Sequence, residues 1–246
     1  MSELAATGPV LVHFLDFAQL NSVRTLPYVA EWHRRYETAG LNVLGVQAPR
    51  FPFGSDPEVV APGLQRLGVG FPVAIDAERE MWLDYGCKGW PSLFLWGRGG
   101  ALRWYHFGEG EYLATEEAIQ QELREADTLR ELPQPMHPLR PSDAPDARVM
   151  PPTPERFPAG EGQAWEPRDG ATELALDYEA AGAHATLEGT GELALELDGV
   201  AQPPVEVDGA ALYELTAHPR HERHSLRLRP APGLRVWSVS FAAGVP

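Results

Sequence analysis

The chain has 246 residues, of which 43% are hydrophobic and 22% are charged, and its formal net charge is -15 at pH 7. Such a length and apolar content suffice for one large domain or two ordinary ones, and they argue against global disorder. Acidic residues outnumber basic ones in both halves of the chain, so the composition argues against a nucleic-acid-binding protein.

The cysteine content and the first residues of the chain narrow the class of protein further. Cys87 is the single cysteine, which excludes an intrachain disulfide framework and a cysteine-based zinc site. The first residues show neither the positive region nor the apolar run of a signal peptide. No apolar run reaches the roughly 18 residues that a membrane span requires. We therefore expect a soluble protein without membrane insertion. Its first residues favour the cytoplasm, whereas the family resemblance given below leaves an extracytoplasmic location open.

The first half alternates short apolar runs with helical segments, which is typical of an α/β sheet. A helix is predicted from Pro27 to Ala39, because its apolar residues recur at three-and-four spacing and Gly40 follows. Asp56, Pro57 and Glu58 form a helix start. The predicted strands cover 10–14, 41–46, 71–75, 92–96 and 102–107, and the other helices cover 57–67, 78–85 and 115–126.

After the last of these helices the composition and the apolar pattern of the chain change. Prolines crowd between 132 and 158, which indicates an extended linker. Beyond it the apolar pattern has a period of two, typical of antiparallel strands. The sequence predicts an α/β domain over 1–130, a proline-rich linker over 131–158 and an antiparallel β-sandwich or jelly roll over 159–246. The alternating runs are 173–178, 184–188, 192–197, 225–229 and 236–241.

Several short motifs of the first half occur together in one family. They are Phe14, Arg24-Thr25-Leu26-Pro27-Tyr28, Trp32-His33, Gly40-Leu41, Pro72-Val73-Ala74-Ile75-Asp76, Trp90-Pro91 and Tyr105-His106-Phe107-Gly108-Glu109-Gly110. With them the chain resembles the TlpA/ResA-type branch of the thioredoxin superfamily, most closely the carboxy-terminal region of the DipZ family. The resemblance implies a thioredoxin-like fold followed by a β-rich domain similar to carbohydrate-binding modules, with strands at 212–215 and 236–241.

The family's dithiol chemistry requires two cysteines at the start of the first helix, where a thiolate attacks a disulfide and a second thiol resolves the intermediate. Gln19-Leu20-Asn21-Ser22 stands at that place. An amide and a hydroxyl do not exchange with a disulfide. We therefore expect the family's oxidoreductase activity to be absent, and the resemblance leaves open whether the chain is an enzyme.

Trp90-Pro91 matches the family's cis-proline position. In thioredoxin-like folds a cis bond there leaves the preceding backbone free to pair with an extended peptide. The alternative is an ordinary proline that opens a strand. We expect the cis form, and with it a peptide-docking edge that survives the loss of redox chemistry.

Polar residues surround the Gln19–Ser22 turn. They can bind a ligand at the helix start, or they can simply cap the helix and close the turn. Ser22 lacks the Gly-x-Ser-x-Gly elbow of a hydrolase nucleophile. We expect no metal and no cofactor here. The candidate binding residues are Asp16, Gln19, Asn21, Ser22, Arg24, Trp90, Pro91 and His106.

Two further motifs carry alternative chemistry. Cys87 is followed by Lys88, whose charge is expected to lower the thiol pKa, although peroxidatic cysteines of this family belong at the position of Gln19. The run from His218 to His224 suggests a metal site, but its spacing and Pro219 favour a solvated loop.

In the β-domain, sugar binding requires exposed aromatic rings. Trp165 is the candidate expected to be most exposed, and Tyr178, Tyr213 and Trp237 are expected to be core residues. Three functions follow from the sequence. The first is a non-redox binding or scaffolding module for a peptide or small ligand. The alternatives are a Cys87-dependent thiol oxidoreductase or peroxidase, and a glycan-binding protein.

Overall fold

A computed structural model describes residues 7–126, 131–168 and 172–246. The chain divides into two compact units, Met1–Leu139 and Arg140–Pro246. Each unit is built around its own sheet of five strands. Among the described residues, no helix is both long and apolar enough to cross a membrane.

The sheet of the first unit is mixed. Strand β1 runs parallel to β2 and β2 parallel to β3, whereas β4 runs antiparallel to both β1 and β5. The strand order is β3-β2-β1-β4-β5. The α/β sheet predicted from the sequence is thereby confirmed, and its arrangement is thioredoxin-like. The strands are β1 Val10–Leu15, β2 Asn42–Gln47, β3 Val73–Ile75, β4 Ser92–Trp96 and β5 Leu102–Phe107.

Helix α1 starts seven residues before the predicted start at Pro27 and ends at Tyr36. The early start follows from the side chain of Gln19, which caps the helix by accepting a hydrogen bond from the peptide nitrogen of Ser22. Pro27 lies inside the helix and is exposed. The four helices are α1 Leu20–Tyr36, α2 Pro57–Arg66, α3 Glu80–Asp84 and α4 Tyr112–Ala126, and a short 3-10 helix covers Pro52–Ser55.

Every residue of β1 is buried, because this central strand has a packed layer on both faces. On one face, Val10, Val12 and Phe14 pack with Cys87 and Phe94. The alternate residues Leu11, His13 and Leu15 point to the other face. His13 is fully buried there, and neither of its ring nitrogens has a hydrogen-bond partner among the described residues.

The first part of the proline-rich segment is packed rather than free. The peptide nitrogen of Met136 donates to Oε2 of Glu116 at 2.8 Å, and the guanidinium of Arg35 donates to the carbonyl of Gln134 at 2.7 Å. The peptide nitrogen of Leu139 donates to the hydroxyl of Tyr28 at 2.7 Å. These bonds explain why the first unit extends to Leu139.

The second unit is all-β and antiparallel, as predicted. Its strands follow the order β10-β6-β9-β7-β8. Two of them are far longer than the alternating runs of the sequence, and β8, which contains two prolines, was not predicted. The strands are β6 Leu174–Glu188, β7 Thr190–Leu197, β8 Val200–Asp208, β9 Ala211–Pro230 and β10 Arg235–Phe241.

A corner divides the long strands β6 and β9. Gly182 pairs with Ala217, but Ala180 pairs with Glu222, so residues 218–221 of β9 form a bulge opposite Ala181. Strand β10 pairs only with the part of β6 beyond this corner, whereas β7 pairs with the far part of β9. Buried side chains from both parts form one core, which is the packing of a sandwich.

Candidate functional site

Asp16, directly after β1, fixes the turn that leads into α1. Its peptide nitrogen donates to Oγ of Ser22 at 3.1 Å. Its carboxylate accepts from the peptide nitrogen of Ala18 at 2.8 Å and from that of Arg50 at 2.6 Å. Complete burial raises the pKa of the Asp16 carboxyl, and these hydrogen bonds oppose that shift. Asp16 therefore positions the chain and is closed to a ligand.

The residues of the Gln19–Ser22 turn have different environments. Gln19 is half-buried, and its Oε1 accepts from the peptide nitrogen of Ser22 at 2.9 Å. Ser22 is fully buried. Asn21 is half-buried, and its side chain has no hydrogen-bond partner within the described part of the chain. Of these residues, Asn21 is the one whose polar side chain is both accessible and uncommitted.

Trp90 and Pro91 form the loop that precedes β4. The peptide bond between them is cis. The indole nitrogen of Trp90 donates to the carbonyl of Ala48 at 2.8 Å, and its ring lies 5.3 Å from that of Trp82. The carbonyl of Pro91 accepts from the peptide nitrogen of Gly108 at 2.8 Å. These bonds hold both the ring of Trp90 and the backbone that follows it.

The peptide group of Trp90 itself differs from its neighbours. Within residues 7–126, 131–168 and 172–246, neither its N–H nor its C=O has a hydrogen-bond partner. The loop is tied to the turn through Arg50, whose peptide nitrogen binds Asp16 and whose guanidinium carbon lies 5.9 Å from the Trp90 ring centre. The loop that carries this unpaired peptide group is thus linked through Arg50 to the turn before α1.

Arg24 and His106 both contact one further residue, Glu109. Nε of Arg24 contacts Oε1 of Glu109 at 2.6 Å, an ion pair with little solvent exposure. Nε2 of His106 lies 3.4 Å from the carbonyl of Glu109. The two predicted residues are thus brought together through Glu109, which the sequence did not single out.

Two other positioning residues were also missed. Oε1 of Gln47, the last residue of β2, accepts from the peptide nitrogen of Phe17 at 3.0 Å. Arg50 follows shortly after the same strand. The carboxyl ends of parallel strands β1 and β2 meet at one edge of the sheet, so polar residues just after β2 were the available signal.

The structure corrects the expectation for Cys87. Burial raises the pKa of its thiol to about 11, and the side chain is only 5% exposed. It packs with Phe14 and Phe94 rather than facing solvent. The charge of the adjacent Lys88 was expected to lower the pKa, but desolvation of the thiolate dominates. At neutral pH only ~10⁻⁴ of such a thiol is ionised.

The histidine run is also placed differently from the prediction. His218 to His224 lie within β9, where the bulge accommodates Pro219, and not in a solvated loop. Among the described residues, no group of three or more histidine, cysteine or acidic side chains is arranged to hold a metal ion.

Trp165 does not present an open ring for a sugar. It is half-buried, packs against the core of the second unit and pairs through its backbone with Val236. Tyr178 and Trp237 are buried, at 2% and 7% exposure. Tyr213 packs against the same core, as predicted. The expected exposure of Trp165 was wrong because the segment before β6 adds to the edge of the sheet beside β10.

Comparison with known proteins gives relatives for both units. The chain is 29% identical to the protein DipZ of Mycobacterium tuberculosis over 94% of its own length and 38% of that protein. It therefore spans about two fifths of the length of this curated relative. NHL repeat-containing protein 2 of Gallus gallus is 26% identical over 41% of this chain and 14% of that protein. No family model matches the chain.

Among solved structures, a thiol-disulfide isomerase from Corynebacterium glutamicum is 23% identical, with a TM-score of 0.45 over 50% of this chain and 85% of that chain. StoA from Bacillus subtilis is 17% identical, with a TM-score of 0.39 over 46% of this chain and 82% of that chain. Over nearly its whole length the chain is thus similar to part of DipZ, and with one cysteine it contains no Cys-x-x-Cys dithiol.

Proposed function

We propose that the first unit is a non-redox binding module that docks an extended peptide segment beside the Gln19–Ser22 turn. The observation that carries the proposal is the unpaired peptide group of Trp90. An extended ligand can pair with such a group through its own main chain, as in strand addition. Because Trp90 is already fixed by Ala48 and Trp82, binding there requires little further ordering of the protein.

The side chains around this group support a recognition role. The amide of Asn21 is uncommitted among the described residues, whereas the groups of Asp16 and Ser22 are consumed in holding the turn. The ligand is therefore expected to meet Trp90 and Asn21, with Asp16 and Ser22 acting as support. Arg24 and His106 are expected to lie at another edge of the proposed docking surface.

Redox catalysis by Cys87 is not favoured by any feature of its surroundings. A thiol that is buried in an aromatic cluster, with a pKa of about 11, is neither accessible nor nucleophilic. For the second unit, no exposed aromatic ring among its described residues supports glycan stacking.

The test is a titration of isotopically labelled protein with a short extended peptide of alternating threonine and valine. We expect the amide signals of Trp90 and Asn21 to shift on binding. A matched peptide, N-methylated at alternate residues so that its main chain cannot pair, is expected to leave these signals unchanged. Equal shifts with both peptides, or shifts confined to other parts of the chain, would contradict docking at Trp90.

A further inference from the structure

Three histidines of the second unit gather at the corner of the sandwich, and the proposed binding site uses none of them. They are His218, His221 and His224, of which the first two lie in the bulge 218–221. The corner borders an open depression of about 420 Å³. The lining residues include Tyr178, Asp198 and His224.

His218 and His224 are stacked on each other. Their ring centres are 3.9 Å apart and the ring planes differ by 19°. Each ring is held from a different side, because Nε2 of His218 lies 2.7 Å from the hydroxyl of Tyr178 and Nδ1 of His224 lies 2.7 Å from Oδ2 of Asp198. Tyr178 is 2% exposed, so the hydroxyl end of this arrangement is fixed in the core.

The charged groups around the stacked pair favour one positive charge on the two rings over two. Asp198 is the carboxylate in hydrogen-bond contact with the pair, and it faces His224. Glu222 lies 3.7 Å from Nε2 of His224, outside hydrogen-bond distance. Burial, and then the neighbouring His224, lower the pKa of His218, while Glu222 and Asp198 act in the opposite direction.

Other charged side chains also lie near the corner. Glu179 faces His221 at 3.8 Å and Arg223 at 3.5 Å. Asp177 lines the depression and is exposed. Asp198 is itself fixed by the peptide nitrogen of Ser225, which donates to Oδ1 at 2.8 Å. The stacked rings therefore have one hydrogen-bonded carboxylate, Asp198, and a second, Glu222, at ion-pair distance.

We propose that the stacked pair His218–His224 is an acid-sensitive latch, closed while the pair carries at most one proton and opened by a second. The first proton belongs on His224, where Asp198 accepts its hydrogen bond. A second proton on His218 places two like charges in ring-to-ring contact. It also makes Nε2 a donor, so that the Tyr178 hydroxyl, which contacts Oγ1 of Thr216 as well, has to accept from it. Separating the rings moves the bulge 218–221 away from Tyr178.

The latch controls the carboxy-terminal segment, because the bulge holds it. The peptide nitrogen of His221 donates to the carbonyl of Val245 at 2.9 Å, and that of Ala181, opposite the bulge, donates to the carbonyl of Ala242 at 2.9 Å. Opening the latch breaks the first of these bonds. It also alters the wall of the depression that His224 lines, so that ligand access to this unit depends on pH.

The test is hydrogen exchange of the full chain, expressed as protection relative to the unfolded rate at each pH. The protection of the His221 amide is expected to fall about tenfold per pH unit below about pH 6, since one proton is taken up on opening. In His218→Gln this dependence is expected to disappear. In the control His184→Gln, a histidine of the same unit paired with Glu214, it is expected to persist.

A second measurement covers the case in which His218→Gln does not fold. In the unmodified chain, nuclear magnetic resonance titration follows both imidazoles directly. The latch requires that the titrations of the two rings are coupled and that the amide of His221 changes together with the protonation of His218. Independent titration of the two rings, or an unchanged His221 amide while His218 is protonated, would overturn the proposal.

Discussion

The peptide nitrogen of Asp16 donates to Oγ of Ser22 at 3.1 Å, and both residues are fully buried. The Ser22 hydroxyl thus accepts a main-chain hydrogen bond from the turn that precedes α1. The Gln19–Ser22 turn is therefore a closed structural element that holds the start of α1 against the end of β1.

Replacing this hydroxyl tests its structural role. In Ser22→Ala the N–H of Asp16 loses its acceptor in a buried site, so the free energy of unfolding is expected to fall by about 1–3 kcal/mol. Denaturant unfolding measures the change. The control is Asn21→Ala in the same turn, which is expected to remain within about 0.5 kcal/mol of the unmodified chain. An equal loss in both variants would contradict the assigned role of the hydroxyl.

Two thiols at the same turn should regain the missing chemistry. The double variant Gln19→Cys with Ser22→Cys places cysteines three apart at a helix start, within the ~4.4–6.8 Å Cα separation that a disulfide needs. We expect it to form a disulfide when oxidised and, with dithiothreitol as the reductant that regenerates its dithiol, to catalyse the reduction of insulin, whereas the unmodified chain is expected not to. Gln19→Cys alone is the control and is expected not to turn over. A folded, oxidisable double variant without reductase activity would show that the rest of the site no longer supports exchange.

The buried His13 gives a specific dependence of stability on pH. Burial lowers its pKa from 6.5 to about 3, so the folded state requires the neutral ring. Its contribution to stability is present above pH 6.5 and is lost as the pH falls toward 3. We expect this residue to lower the free energy of unfolding by about 1.4 kcal/mol per pH unit over that range.

Denaturant unfolding at a series of pH values measures this slope. The variant His13→Leu removes the titrating ring. It is expected to reduce the slope by the contribution of one bound proton, about 1.4 kcal/mol per pH unit. His137→Gln, at an exposed position, is the control and is expected to leave the slope unchanged. The same slope in His13→Leu and the unmodified chain would show that His13 is not buried in its neutral form.

Cys87 should be inert while the chain is folded. With a thiol pKa of about 11, its thiolate fraction at neutral pH is about two orders of magnitude below that of an ordinary cysteine. Iodoacetamide is therefore expected to modify the native chain at least 100-fold more slowly than the chain in denaturant, to order of magnitude. Mass spectrometry of timed samples gives both rates, and comparable rates would place the thiol at the surface.

Much of the fold could be predicted because the pattern of apolar residues determines it. The strands from Val10 to Phe107 appear where short apolar runs predict them, since a central sheet covered on both faces needs such runs. Apolar periodicity missed the start of α1 because that start depends on capping by Gln19, which is not among the preferred capping residues. The family resemblance places it at the Gln19–Ser22 turn. The corner in β6 and β9 was missed because it depends on strand register, which alternation alone does not specify.

The site was harder to predict than the fold. Gln19, Ser22 and Asp16 were identified from their places in the chain. Arg50, which bonds Asp16, and Gln47, which bonds Phe17, come from a neighbouring strand end and were missed. Whether a polar residue supports a site or faces a ligand depends on burial, which the sequence does not give. Cys87 shows this most clearly, because its charged neighbour Lys88 matters less than its aromatic surroundings.

The burial of the lone thiol has a consequence for where the protein can work. No sulfur is available on either described unit to form a bond with glutathione, with a partner or with a second copy. The thiol–disulfide balance of the surroundings therefore has no accessible cysteine of the folded chain to act on.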